Sequence, residues 1–274
     1  MATRGGNQQG GPGPMPTEVE ASLAIVAGDP EAVAAELAGL RELGRYRLLP
    51  RPEKRIRDIY LDTPDGQLLR HLVSVRLRES NDKVLVTLKG DDPSAGAGIK
   101  VRRELELPWS EDALAQVLAA LAGDGIRLLD EPTEREASPL ARLIARGLVV
   151  VQERSTRRAV RDVVAAEDAT AAPLAEMVID RVHFGAAGRT IRHSEVEIEL
   201  KAGQDRALIG EMQETLCALL PGRLLPWSVA KLTLGMWLER MLAQGALEPY
   251  LAADGRLLPE AYPAILAHGR AHAS

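Results

Sequence analysis

The chain alternates apolar and polar residues in short runs, and the period of that alternation changes along its length. Residues Glu18 to Val26 have the content of a strand, and Asp29-Pro30 then supplies an N-cap with proline at the first helical position. A helix follows to about Leu43. From Lys54 onward a period of two dominates, the signature of half-buried strands. Arg55 to Asp62 alternates, Thr63-Pro64-Asp65-Gly66 makes a turn, and Val73–Arg78 and Lys83–Lys89 flank Ser80-Asn81-Asp82 as a hairpin. Ile99 to Leu107 is another strand; Ser110 and Asp112 open a helix through Leu121, and a second covers Pro139 to Ala145. Strands resume at Leu148–Asp162, Leu174–Phe184 and Thr190–Lys201, before helices at about Asp205–Leu220 and Ser228–Ala243. Hairpin pairs on either side of one helical insertion predict an α+β fold with an antiparallel sheet. Met1 to Pro16, rich in Gly, Pro and Gln, reads as a disordered tail. Residues 17–244 form the folded domain, and Gly245 to Ser274 reads as a peripheral extension with one short helical stretch.

Within the strands, the charges carry the information. Successive strand residues face opposite sides of a sheet, so charges two apart share a face. Glu18 with Glu20, Arg76 with Arg78, Arg102 with Glu104 and Glu106, Arg154 with Thr156 and Arg158, and Glu195 with Glu197 and Glu199 all follow this spacing. A solvated face explains any one of these strands. It explains five less well, because acidic triplets and arginine pairs are segregated by strand. If the sheet closes, one face turns inward and the charges converge in a lumen, while helices cover the outer apolar faces. Carboxylates there offer hard oxygen ligands for Mg²⁺ or Mn²⁺, and guanidinium groups bind phosphate oxygens in bidentate fashion. Together they suit a metal-bridged polyphosphate.

Composition narrows the picture. A net charge of -5 argues against non-specific nucleic-acid binding, and no apolar run is long enough for a membrane helix. The single cysteine, Cys217, fits a reducing compartment, so a cytoplasmic location is expected. The histidines at 71, 183, 193, 268 and 272 lack metal-ligand spacing and read as surface residues, and there is no phosphate-binding Gly-rich loop ending in Lys-Ser/Thr. Trp227, Met236 and Trp237 read as core, and Cys217 as apolar filler.

Nine short segments then fall in a familiar order: Glu18-Val-Glu20, Tyr60-Leu-Asp62-Thr-Pro with Leu68-Leu69, Arg76-Leu-Arg78, Thr87-Leu-Lys89-Gly90, Arg102-Arg-Glu104-Leu-Glu106, Arg154 to Arg158, Ile179-Asp180, Glu195 to Lys201, and Ser228 to Lys231. In this the chain resembles the CYTH family, the triphosphate tunnel metalloenzymes, over roughly Thr17 to Leu238. That family includes inorganic triphosphatases, thiamine triphosphatases and class IV adenylyl cyclases. The resemblance implies a closed eight-stranded antiparallel β-barrel, a tunnel with flanking helices. It implies metal ligands among Glu18, Glu20, Glu104, Glu106, Glu195, Glu197 and Glu199, and phosphate contacts from Arg76, Arg78, Lys89, Arg102, Arg154, Arg158 and Lys231. Glu18, Glu20, Asp180 and Lys231 would be catalytic, with Mg²⁺ or Mn²⁺ as cofactor. The implied partner is a triphosphate-containing small molecule, with no nucleic acid and no membrane, and a homodimer is left open.

One position departs from the pattern. The family's first strand carries a lysine where this chain has Ser22, and Lys54 or Arg55 are candidates to replace its charge. Three readings follow: a metal-dependent triphosphatase, a polyphosphate- or nucleotide-binding module of weak turnover, and an adenylyl cyclase.

Overall fold

The computed structural model describes residues 16–81, 83–91, 99–130, 138–167 and 172–271. The proposed tail thus lies outside the described residues up to position 15, as does Asp82 of the hairpin turn. In chain order the strands are β1 (Thr17–Ile25), β2 (Glu42–Leu43), β3 (Tyr46–Asp62), β4 (Val73–Ser80), β5 (Lys83–Asp91), β6 (Ile99–Pro108), β7 (Val149–Ala165), β8 (Ala175–Ala186), β9 (Arg189–Leu200) and β10 (Leu224–Pro226). The helices are α1 (Pro30–Gly39), α2 (Gln67–Arg70), α3 (Glu111–Gly123), α4 (Pro139–Ala145), α5 (Ala207–Leu219), α6 (Lys231–Ala243) and α7 (Ala261–Ala271).

Eight strands run antiparallel in the order β1-β6-β5-β4-β3-β7-β8-β9, and β9 pairs back onto β1 through Glu20 opposite Glu199. The sheet is therefore a closed barrel, as the resemblance implied. Short strands β10 and β2 extend it beside β1 and β3. Caps set the helix starts: Asp29 accepts from the Ala32 amide, Ser110 from Ala113 and Ser138 from Ala141. Asn81 turns the β4–β5 hairpin with a φ of 53°, a conformation asparagine tolerates.

β3 is longer than the pattern suggested, beginning at Tyr46 and not near Arg55. Pro52 sits where its register with β7 shifts, between Arg51 and Lys54, and Pro50 stands opposite Arg161 just before that shift. Proline cannot donate to a ladder, so it reads as a break, yet a bulge accommodates it.

Three apolar clusters fix the barrel. On the outside of β1, β8 and β9, residues such as Leu23, Met177 and Ile198 pack with Leu37 of α1 and Met212 and Leu216 of α5. On the outside of β3 to β5, Ile59, Val75 and Leu88 pack with Leu114 and Val117 of α3 and Leu143 of α4. The third cluster faces the other way. Val182 and Phe184, inward positions of β8, meet Trp227, Leu234 and Leu238 of α6, and Tyr262 and Ile265 of α7. Gly235 of α6 comes so close that a Cβ there would stand 2.2 Å from Gln152 Nε2 and 2.9 Å from the Phe184 ring.

This third cluster corrects the reading of the C-terminus as peripheral. Leu247, Ala261 and Ile265 are fully buried, so the segment is part of the core. Trp227 is core as expected, with Trp237 packed at its margin. Among the described residues no helix is long and apolar enough to cross a membrane.

Candidate functional site: the charged lumen

The barrel encloses a cavity of about 330 Å³. Ten basic side chains line it, from Lys54 on β3 to Lys231 at the start of α6, against seven glutamates, at 18, 20, 104, 106, 176, 197 and 199. Three more carboxylates, Asp58, Asp180 and Glu195, are buried beside these basic groups. Ten positive groups thus face ten negative ones. Strand alternation turns most of them inward, the start of α6 adds Lys231, and register gathers the majority into three clusters.

The first cluster centres on Asp58, which sequence reasoning missed although it shares a face with Tyr60 in an alternating strand. Arg78 donates to it from Nε at 2.8 Å and Nη2 at 3.1 Å, and Arg154 from Nη2 at 3.1 Å. Arg154 also donates to Tyr60 Oη at 2.6 Å, and Arg76 donates to the same hydroxyl at 3.2 Å. Burial alone would raise the Asp58 pKa, but Arg76, Arg78 and Arg154 together hold it well below the carboxylate range. Burial likewise opposes ionisation of Tyr60, and the same arginines bring its pKa below that of an ordinary tyrosine. Glu106 accepts from Arg76 at 3.2 Å and from Thr87 at 3.0 Å, which places it with the arginines.

The second cluster joins β1 to β5 and β6. Lys89 bridges Glu18 at 2.7 Å and Glu104 at 3.1 Å. Glu20 Oε1 meets Arg102 Nη2 at 2.8 Å and Lys100 Nζ at 3.0 Å. Burial, with Glu20 and Glu104 nearby, pushes the Glu18 carboxyl up to about 9 despite Lys89. Glu199, across the closing seam from Glu20, is also raised, first by burial and then by Glu104 and Glu176.

Lys231 is the centre of the third. Its Nζ lies 3.1 Å from Asp180 and 2.7 Å from Glu197, and contacts Glu195. Arg158 clamps Asp180 through Nε at 2.8 Å and Nη2 at 2.7 Å, and reaches Glu197 at 3.3 Å. Carboxylate oxygens of Asp180, Glu195 and Glu197 lie within 4.8 Å of one another, a spacing that suits a cation. Here the lysine ammonium is that cation. Although burial disfavours its charge, the three carboxylates raise the Lys231 pKa.

Every residue expected at the site except Asp180 and Glu195 lines the cavity. Those two are buried behind Lys231, at 0% and 1% exposure. Asp62, from the Tyr60-Leu-Asp62 segment, serves the fold: its carboxylate accepts from the amides of Thr63, Leu68 and Leu69 and starts α2. His193 is a correction, because it is buried and not on the surface. Its Nε2 is 3.0 Å from Glu195 and its Nδ1 3.1 Å from Tyr262 Oη, so it joins the Lys231 cluster to α7. Arg55 faces outward, whereas Lys54 lines the cavity. The ammonium beside Ser22 belongs to neither. Lys100 Nζ donates to Ser22 Oγ at 3.0 Å.

A closed antiparallel barrel of eight strands with acidic and basic groups sorted along its lumen defines a β-tunnel protein. The CYTH domain profile matches residues 30–221, and the chain belongs to the CYTH domain family. The Hippeastrum protein HpAC1, described as a proposed adenylyl cyclase with a dominant triphosphatase activity, superposes with a TM-score of 0.51 at 16% identity, covering 81% of this chain and 95% of its own. A proposed adenylate cyclase from Bacillus halodurans gives a TM-score of 0.46 at 20% identity, over 78% of this chain and 96% of that one. The mimivirus capping enzyme triphosphatase gives 0.35 at 12% identity, over 73% and 88%. No curated protein sequence matches the chain.

Proposed function

We propose that the chain hydrolyses a triphosphate, inorganic or carried on a small organic group, with Mg²⁺ or Mn²⁺ in its lumen. The observation that carries this is the segregation of charge around one enclosed cavity. Arg76, Arg78, Arg154, Arg158, Lys89, Arg102 and Lys231 are the donors for phosphate oxygens. Asp58, Glu106, Asp180 and Glu195 hold those cations in place. Since acidic and basic groups are equal in number, a triphosphate entering alone adds unmatched negative charge, and a divalent cation offsets this.

The residues present fit such a cation. Glu18, Glu20, Glu104 and Glu199 form an acidic wall where burial and mutual repulsion raise two of the four carboxyls. These hard oxygens are the proposed ligands, with Glu197 at the margin and Glu195 kept by Lys231. When bound, the cation supplies charge neutralisation at the leaving phosphate and a more acidic water. Glu18 and Glu20 orient the attacking water, while the arginines stabilise the charge spreading over the transferred phosphoryl oxygens. The triphosphatase activity described for the Hippeastrum protein is in keeping with this reading.

Phosphate release from inorganic triphosphate, ATP and thiamine triphosphate, with Mg²⁺ or Mn²⁺ and with chelator, tests it. Metal-dependent release that disappears in a Glu197→Gln/Glu199→Gln variant is expected. A cyclic nucleotide with pyrophosphate would point to a cyclase instead. Absence of both release and saturable triphosphate binding would sink the proposal.

A further inference from the structure

Lys100 lies outside every role assigned so far, yet its ammonium sits on the lumen wall. It projects from β6 directly opposite Glu20 of β1, lines the cavity, and its side chain is 12% exposed. Its Nζ donates to Glu20 Oε1 at 3.0 Å and to Ser22 Oγ at 3.0 Å. An ammonium carries three donors. The wall takes two, which leaves one for the lumen.

Lys100 is not needed to neutralise Glu20. The same carboxylate oxygen already meets Arg102 Nη2 at 2.8 Å. Glu18, the next carboxylate along β1, is engaged by Lys89 at 2.7 Å. Two cations thus share one carboxylate oxygen, and the second keeps a donor for an anion that enters the lumen. Ser22 completes the arrangement. It is fully buried, small enough to leave room for the ammonium, and offers an oxygen acceptor without charge.

We propose that Lys100 is a substrate-contacting residue, donating its third N–H to a phosphate oxygen from β6. Lys100 Nζ lies 3.0 Å from Ser22 Oγ, so the ammonium reaches this point of the wall from β6 while β1 supplies a serine. The inference rests on the triphosphate reading, and the test separates the two.

Lys100→Met, Ser22→Lys and the double variant Ser22→Lys/Lys100→Ser are compared with the parent chain. Calorimetric binding of inorganic triphosphate, with chelator and with Mg²⁺, is measured beside thermal unfolding and phosphate release. Lys100→Met is expected to weaken triphosphate binding about tenfold or more, while Arg102 still holds Glu20 and keeps unfolding near the parent's. The double variant returns the ammonium from β1 and recovers most of the binding. Ser22→Lys alone crowds two ammonium groups and brings no gain. Should Lys100→Met fold poorly, Lys100→Gln keeps polar partners for Ser22 and Glu20 without the charge and is read the same way. Parental binding by the Lys100 variants overturns the proposal but leaves the triphosphate reading standing. A stable double variant without recovery also overturns it. A parent chain that binds no triphosphate overturns both.

Discussion

Asp58 Oδ2 accepts a hydrogen bond from Arg154 Nη2 at 3.1 Å where the two side chains keep only 2% and 1% of their exposure. Neither is solvated, so each depends on the other. Asp58→Asn removes the charge that three arginines share, and breaking such a buried arrangement costs about 3 kcal/mol or more. Chemical denaturation at neutral pH measures this. The Asp58 pKa is lower in the folded state than in the unfolded one, so its contribution is present above the usual carboxylate pKa and is lost as pH falls through the folded value. The stability gap between parent and variant should thus hold over about pH 5 to 8 and close only in strong acid. A gap that widens on mild acidification contradicts the assignment.

Lys231→Met leaves Asp180, Glu195 and Glu197 facing one another, with Arg158 on Asp180 and Glu197 and His193 on Glu195 as the remaining partners. The expected loss is again about 3 to 5 kcal/mol. Because the three carboxylates lie within ligand distance of one another, Mg²⁺ should raise the variant's unfolding temperature by more than it raises the parent's. Equal shifts in the two proteins would show that the ammonium does not occupy a cation site.

Gly235→Ala tests how closely α6 crosses the barrel. The added Cβ meets the Gln152 amide and the Phe184 ring, so about 1 to 3 kcal/mol of overpacking is expected. Gln152 Nε2 donates to the Leu232 carbonyl at 2.8 Å, one residue from Lys231. Triphosphate affinity should fall with stability. Thermal unfolding and calorimetry on the same sample check both.

Ile265→Ala addresses the C-terminal helix. Its fully buried side chain faces the cluster that includes Trp227 and Leu238, and truncation there costs about 2 to 5 kcal/mol. Tyr262→Phe is milder, about 1 to 2 kcal/mol, for the lost partner of His193. Unaltered denaturation curves in both would return the segment to the periphery.

Much of this was legible because a closed barrel writes itself as alternation. Inward Glu, Arg and Lys opposite outward Val, Leu and Ile mark β4, β6 and β9 without reference to partners. Legibility ended where register decides. Lys100 meets Ser22 across 78 positions, and His193 meets Tyr262 across 69, so neither pair leaves a local trace. Asp58 was hidden in another way, since a single acid between Arg57 and Ile59 resembles any surface charge on a half-buried strand. Pro50 and Pro52 concealed the first half of β3, although the bulge at Pro52 tolerates what a regular ladder excludes.

The seam where β9 closes on β1 has a consequence for synthesis. β1 precedes the other barrel strands in the chain, yet both its long edges are completed by later segments, Ile99–Pro108 and Arg189–Leu200. At about 5 to 20 residues per second, roughly ten to thirty seconds separate its emergence from the arrival of its last partner. Throughout that interval a strand bearing Leu23 and Ile25 has an unpaired edge, the kind that recruits other chains. Glu18 and Glu20 give neighbouring nascent strands like charge, which opposes their pairing. The carboxylates of the lumen are thus placed to protect the chain before there is a lumen.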